Sequence, residues 1–400
     1  MEFDIIIIGG GMVGATLGCA LGETPFRIAV IEPAAAPMSW SEDEYDIRVS
    51  AITRATENVF RHIGAWEGMM RRRVTPYQGM EVWDATGSGE IAFNAAEIGE
   101  TNLGHIIENR VILAALLERM AQLENVQFFC PADAKRLDRA YDKVTVTLED
   151  GRALTGKLLV GTDGARSWVR DQAGITTTGW SYEQTAVVAT IKTSLHHHGI
   201  AYQRFMPEGP LAFLPMPNGL SSIVWSTSPE RARELVAMDE SRFLDELQKA
   251  FGEKLGRMEW VGPRGGFPLV LKHANSYTSE RLVLAGNAAH AIHPLAGQGL
   301  NLGVSDVAAL TEVLLDAKRD HRDIGDLAVL RKYERWRKAD NLGVMAAMDG
   351  FKRLFSNDSK PLSLLRNVGL TLANKSGPLK HMMVRRAMGL GGDMPKMTQG

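Results

Sequence analysis

Residues 1–32 read MEFDIIIIGGGMVGATLGCALGETPFRIAVIE. The run Phe3–Ile8 is continuously apolar and β-branched, the pattern of a strand buried on both faces. Glycines follow at 9, 10, 11 and 14, then a helix of small residues to Leu21. Arg27–Ile31 reads as a second buried strand that ends at Glu32, which completes a βαβ unit. Gly9, Gly11 and Gly14 satisfy G-x-G-x-x-G: a tight turn, a backbone able to approach a pyrophosphate, and close packing of helix on strand. The phosphates belong at the helix N-terminus, where free N–H groups and the dipole favour an anion. Glu32 is placed to hold ribose hydroxyls and disfavours a 2′-phosphate, so the expected adenosine is that of FAD or NAD rather than NADP.

Outside this unit, 400 residues suffice for two domains, or for a cofactor domain with a module inserted into it. Hydrophobic residues make up 45%, enough for a sizeable core. The 45 basic and 47 acidic side chains nearly cancel, so nucleic acid is not an expected partner. Two cysteines, Cys19 and Cys130, build neither a disulfide framework nor a metal knuckle, and a reducing, cytoplasmic setting is expected. The opening lacks a basic n-region, and no eighteen-residue apolar window occurs, so neither a signal peptide nor a spanning helix is expected.

Along the chain, Asp46–Gly64 reads as a helix, Met80–Trp83 and Ile91–Phe93 as strands around a turn, and Asn109–Leu123 as a helix. Val126–Phe129, Val144–Leu148, Leu158–Val160 and Arg281–Ala285 read as strands. Between Gln184 and Leu271 alternating runs predict an antiparallel sheet interrupted by a helix at Glu240–Phe251. After Leu300 the pattern is mostly helical to the end. The expected fold class is α/β with an α+β insert. A Rossmann-like FAD-binding domain spans 1–70, 101–178 and 275–345, and a β-sheet substrate domain spans 71–100 and 179–274. A basic helical segment, 346–400, closes the chain.

Three ordered signatures carry a resemblance: the N-terminal glycines, Gly161-Thr162-Asp163-Gly164, and GNAAHAIHPLAGQGLNLGVSD at 286–306. Together they resemble the single-component, FAD-dependent aromatic hydroxylases of the p-hydroxybenzoate hydroxylase type. DIRVSA at 46–51, VWD at 82–84, LGHIIEN at 103–109, HPLAGQGLNLG at 293–303 and MGLGGDMP at 388–395 are similar to the ubiquinone-biosynthesis hydroxylases. Within these, Asn287 resembles the branch of the 2-polyprenyl-6-methoxyphenol hydroxylases. The resemblance implies an oxidoreductase, a flavoprotein monooxygenase. NAD(P)H or a protein electron donor would be its reductant and molecular oxygen its co-substrate, through a C4a-hydroperoxyflavin. It also implies a polyprenylated phenol substrate and a biosynthetic complex as partner.

The resemblance further implies that Arg48 and Arg110 lie near the flavin or its phosphates, and that Asp163 both holds cofactor and supports the nicotinamide donor. Asp163 equally reads as a cap for the helix after Ser167, and Arg110 as a solvated first-turn residue. Gly297, Gly299, Leu300 and Asn301 open a helix after Pro294 whose N–H groups would stabilise negative charge on the reduced flavin. Pro294 and Gln298 are the candidates for positioning at the ring. The broad family has an aspartate where Asn287 stands, holding the ribityl chain; an amide oxygen still accepts a hydroxyl there.

His290 and His293 lack a third ligand nearby, and His196-His197-His198 reads as a solvated strand or loop end, so no metal is expected. The last fifty residues hold nine lysines and arginines against two acids, interleaved with apolar side chains. Such a segment suits peripheral contact with an anionic membrane, on the inner face of the cytoplasmic membrane, or an ordinary helical cap. Two alternatives stand beside the hydroxylase: an FAD-dependent isoprenoid reductase of the same fold, and a flavin-binding scaffold without chemistry of its own.

Overall fold

The computed structural model describes residues 1–85, 87, 89–291, 299–355 and 388–399. Ile5–Ile8 is the centre of a six-stranded sheet, flanked by Leu158–Gly161 on one side and Ile28–Ile31 on the other, all parallel. Leu282–Leu284 and Val126–Phe129 extend it in parallel, and only the short edge Thr278–Ser279 runs antiparallel. The four isoleucines of the central strand are buried because helices cover both faces of such a sheet. The helix Met12–Ala20 packs between this sheet and the helix Gly299–Arg319. Strands from positions 5 to 284 therefore build one layer, and the chain between them contributes to a second sheet.

That second sheet has eight strands, in the order 290–291, 258–274, 177–193, 220–227, 209–215, 200–206, 79–84, 90–94. All neighbours are antiparallel except Ile200–Met206 beside Gly79–Asp84. Alternation along the strands separates its two faces. Val187, Ala189, Ile191, Phe213, Ile223 and Trp225 pack against the helices Pro229–Ala237 and Glu240–Phe251. The opposite face turns toward the parallel-sheet layer.

Local readings needed correction in three places. Val49–Thr53 is a strand paired with Gly104–Glu108, and the helix begins only at Arg54. The β-branched Val49, Ile52 and Thr53 fit a pleated pair better than a helix. Thr53 then accepts from the Thr56 N–H and caps the helix that follows. His197 is buried, not solvated: Nδ1 accepts from the Gly199 N–H at 3.1 Å and Nε2 donates to the Met216 carbonyl at 3.0 Å. Residues 388–399 depart from the expected basic helical segment. After the helix Leu327–Phe355, residues 388–399 run through turns, with one 3-10 turn at Lys396–Thr398, and return to the parallel-sheet layer. The Met388 carbonyl accepts from Ala55 N–H, Asn58 donates to the Thr398 carbonyl, and Trp336 Nε1 donates to the Asp393 carbonyl. Within the expected basic segment, residues 356–387 lie outside the described residues.

Candidate functional site

The two layers enclose a cavity of about 510 Å³. One wall comes from Gly11–Val13, from Arg48 to Ala51, and from Asn287, Gly299 and Leu300. The other is the inner face of the eight-stranded sheet. All three sequence signatures thus meet on one space, although they lie more than 120 residues apart along the chain.

The glycine turn is shaped by close approach. A Cβ on Gly14 would lie 1.8 Å from the Gly9 carbonyl oxygen, and one on Gly9 would lie 2.7 Å from the Thr162 carbonyl. Gly11 differs: a Cβ there would meet no protein atom within 4 Å, and the residue borders the cavity. Gly11 is also the N-cap of the Met12–Ala20 helix, without any side-chain cap. An uncapped helix start that opens onto a cavity is the anion site that a pyrophosphate requires. Glu32 ends the next strand beside the turn, accepting from the Gly10 N–H at 2.7 Å and the Ala34 N–H at 3.2 Å. The carboxylate is thereby held by the turn that it serves. These residues fit the adenosine diphosphate half of FAD.

Arg48 borders the cavity, with its guanidinium 5.3 Å from the Phe267 ring centre. It supplies the single charged side chain among the described lining residues. Arg110 is not brought to the cavity lining. Its guanidinium is engaged by Glu44 at 3.0 Å and Glu108 at 3.0 Å, over the Trp40 ring. Asp163 accepts from the Val169 N–H at 3.0 Å, across the start of the short helix Trp168–Gln172, and Ser167 caps that helix through the Arg170 N–H. Burial pushes the Asp163 carboxyl up from its ordinary range, and Oδ1 has no hydrogen-bond partner among the described residues. Its neighbours Thr162, Gly164 and Ala165 border the cavity.

Asn287 is exposed and faces the cavity from a 3-10 turn, Gly286–Ala288, that begins at a left-handed Gly286 (φ +59°). Gly299 and Leu300 line the cavity at the start of their helix, and Asn301 has another task. Its Nδ2 donates to the Ala51 carbonyl at 2.8 Å and its Oδ1 accepts from the Thr53 N–H at 3.1 Å. It therefore ties the helix start to the Val49–Thr53 strand. Pro294, Gly297, Gln298 and His293 lie outside the described residues.

Two buried groups that the sequence reading passed over hold these loops. Asp306 is fully buried in the Gly299–Arg319 helix. Its Oδ2 accepts from the Gly286 N–H at 3.0 Å and from His290 Nε2 at 2.5 Å. Its Oδ1 accepts from Arg337 Nε at 2.9 Å and Asn341 Nδ2 at 3.2 Å. Burial by itself would raise this carboxyl, but the neighbouring His290 and Arg337 outweigh it and hold it at about 2. Arg170, also buried, donates to the Ala288 carbonyl at 3.1 Å and the Ala165 carbonyl at 3.0 Å, which links the second signature to the third. The available signal was an acid in the middle of the apolar run 300–317, with an arginine and an asparagine four apart in the next helix. A buried charge of that kind needs partners.

Comparison with known proteins agrees with this geometry. The family described as FAD binding domain matches residues 2–345. The ubiquinone hydroxylase UbiL of Rhodospirillum rubrum is 40% identical, over 99% of this chain and 92% of its own. The 3-demethoxyubiquinol 3-hydroxylase of Escherichia coli is 37% identical, over 97% of this chain and 98% of its own. The human mitochondrial ubiquinone biosynthesis monooxygenase COQ6 is 35% identical, over 96% and 92%. Among solved structures, p-nitrophenol 4-monooxygenase PnpA of Pseudomonas putida shares the fold, with a TM-score of 0.80 at 21% identity over 98% of this chain and 99% of that one. With this family matching residues 2–345 and relatives at 35–40% identity spanning nearly the whole length, the chain belongs to the FAD binding domain family.

Proposed function

We propose that this protein is an FAD-dependent monooxygenase that hydroxylates the ring of a polyprenylated phenol in ubiquinone biosynthesis. The observation that carries the reading is the cavity itself: the cofactor signatures form one wall and an almost uncharged sheet forms the other. Bound FAD supplies electron acceptance from a reductant, NAD(P)H or a protein donor, and the activation of molecular oxygen.

The chain's own residues do the rest. The helix start at Gly11 binds the pyrophosphate, and Glu32 accepts from ribose hydroxyls. Asn287 accepts from the ribityl chain. The start of the Gly299–Arg319 helix would offer N–H groups and a positive dipole end to the negative charge of reduced flavin. The inner sheet face, with Ala186, Val188, Ala212, Leu214 and Val224, takes the apolar ring and excludes water from it. A neutral phenol suits this surface, and the charge of Arg48 stays at the Phe267 side.

Peripheral contact with a membrane or a biosynthetic complex through the basic C-terminal segment belongs to the same proposal, because a polyprenyl substrate resides in lipid. No helix among the described residues is long and apolar enough to cross a membrane. Co-sedimentation with anionic vesicles, compared with a chain ending at 355, tests the contact.

The decisive experiment reduces FAD-loaded protein without oxygen, adds a prenylphenol, and then admits oxygen. A product heavier by one oxygen atom is expected. Flavin that reoxidises fully with no oxygenated product, together with normal quinone levels in a deletion strain, overturns the reading.

A further inference from the structure

The inner face of the eight-stranded sheet can be read row by row from its register. One row runs Val82, Gln203, Ala212, Val224, Val188 across five neighbouring strands. Four of these five side chains are hydrocarbon, and an amide stands among them. Strand alternation puts Tyr202 on the opposite face, packed with Phe213 and Phe251, so Gln203 points toward the cavity that it lines. Gln203 is 6% exposed, and its side-chain amide has no hydrogen-bond partner among the described residues. Neither amide atom is sealed from the cavity, so the group opens onto that space with nothing of the chain to bond it, which marks a place where a ligand completes the hydrogen bonds.

We infer that Gln203 is the substrate-orienting residue of this site, and that its amide pairs with a neutral oxygen substituent on the aromatic ring. The inference rests on the proposed hydroxylase reading and names the contact that fixes the ring within it. An amide both donates and accepts, which matches a phenolic hydroxyl. A ring carboxylate would call for a cation, and no lysine or arginine lies in this row. The hydrocarbon neighbours on both sides accept the ring faces and edges but cannot set its rotation about the sheet normal. The one amide in this hydrocarbon row can, because any ring pose that misses it leaves the amide unpaired, while Ser222 and Ser226 in the flanking rows of the same face offer only short hydroxyls.

The test uses the full-length, FAD-loaded protein and two probes, 2-geranylphenol and geranylbenzene, which lacks the oxygen. Binding is followed through the perturbation of flavin absorbance. Gln203→Met keeps the length of the side chain and removes both hydrogen-bonding groups. It is expected to weaken the phenol about tenfold while geranylbenzene binds as before or more tightly. Peroxide released per hydroxylated product should rise in parallel, since a misoriented ring is not attacked. Gln203→Asn, with an amide one methylene shorter, should recover part of the selectivity. Should Gln203→Met retain little FAD, Gln203→Leu provides the same contrast at matched flavin content. Wild-type protein that hydroxylates the phenol while the variants keep its full preference for phenol overturns the role of Gln203 alone. Wild-type protein that neither binds nor hydroxylates the phenol overturns the hydroxylase reading, and the role of Gln203 with it.

Discussion

Replacement of Asp306 by asparagine probes the buried grip on the third signature. The carboxylate accepts four hydrogen bonds, two at each oxygen, from Gly286, His290, Arg337 and Asn341. An amide of the same shape has one accepting oxygen, so its NH2 group must face two donors whichever way it turns. It also leaves the Arg337 guanidinium, 1% exposed, without its carboxylate partner at Nε. Disruption of a buried ion pair from one side costs about 3–5 kcal/mol. The depressed carboxyl points the same way: the gap between the ordinary value of 3.8 and about 2 corresponds to about 2 kcal/mol at neutral pH. Because the folded value is depressed, this contribution is complete above 3.8 and is lost as pH falls through about 2. Urea unfolding at pH 7 should therefore show Asp306→Asn less stable by about 3 kcal/mol. Between pH 4 and pH 2 the parent should lose more stability than the variant. FAD affinity should fall about tenfold as the Gly286–His290 turn loosens. A variant within about 0.5 kcal/mol of the parent, with an unchanged acid profile, would refute the claim that this carboxylate anchors the turn.

Other expected outcomes follow from the same geometry. Gly11→Ala should fold normally, since its Cβ meets no protein atom, yet lose FAD affinity at least tenfold, whereas Gly14→Ala should fail to accumulate as folded protein; circular dichroism and flavin titration separate the two. Arg170→Met removes the link between the Ala165 and Ala288 carbonyls and should raise the FAD dissociation constant with a stability loss of about 1–3 kcal/mol; equal flavin retention would argue against the link. Asn287→Asp should leave the fold intact and tighten FAD about fivefold, an effect of about 1 kcal/mol, and weaker flavin binding would contradict the ribityl role.

Much of this protein was legible along the chain because its evidence is local. A β-branched run, four glycines and an acid at fixed spacing define the βαβ unit. Each requirement is met within thirty residues by backbone sterics and a helix dipole. Helical periodicity placed Asn109–Met120 and Glu240–Phe251 with little error. The strand at 49–53 was not legible, because all five of its residues acquire their state from pairing with 104–108, more than fifty positions away. The return of residues 388–399 onto the helix 54–62 was hidden for the same reason.

The candidate site divides along the same line. Sequence alone pointed to a dinucleotide, through backbone conformation that a motif encodes, and the resemblance carried by three ordered signatures narrowed it to FAD. Tertiary structure alone decided which polar side chains serve the cavity. Arg170 and Gln203 sit in unremarkable local sequence, and Asp306 closes the third signature with no role legible from it. Their roles arise only where two layers close and remove them from water, because burial turns an ordinary carboxylate, guanidinium or amide into a group that must find a partner.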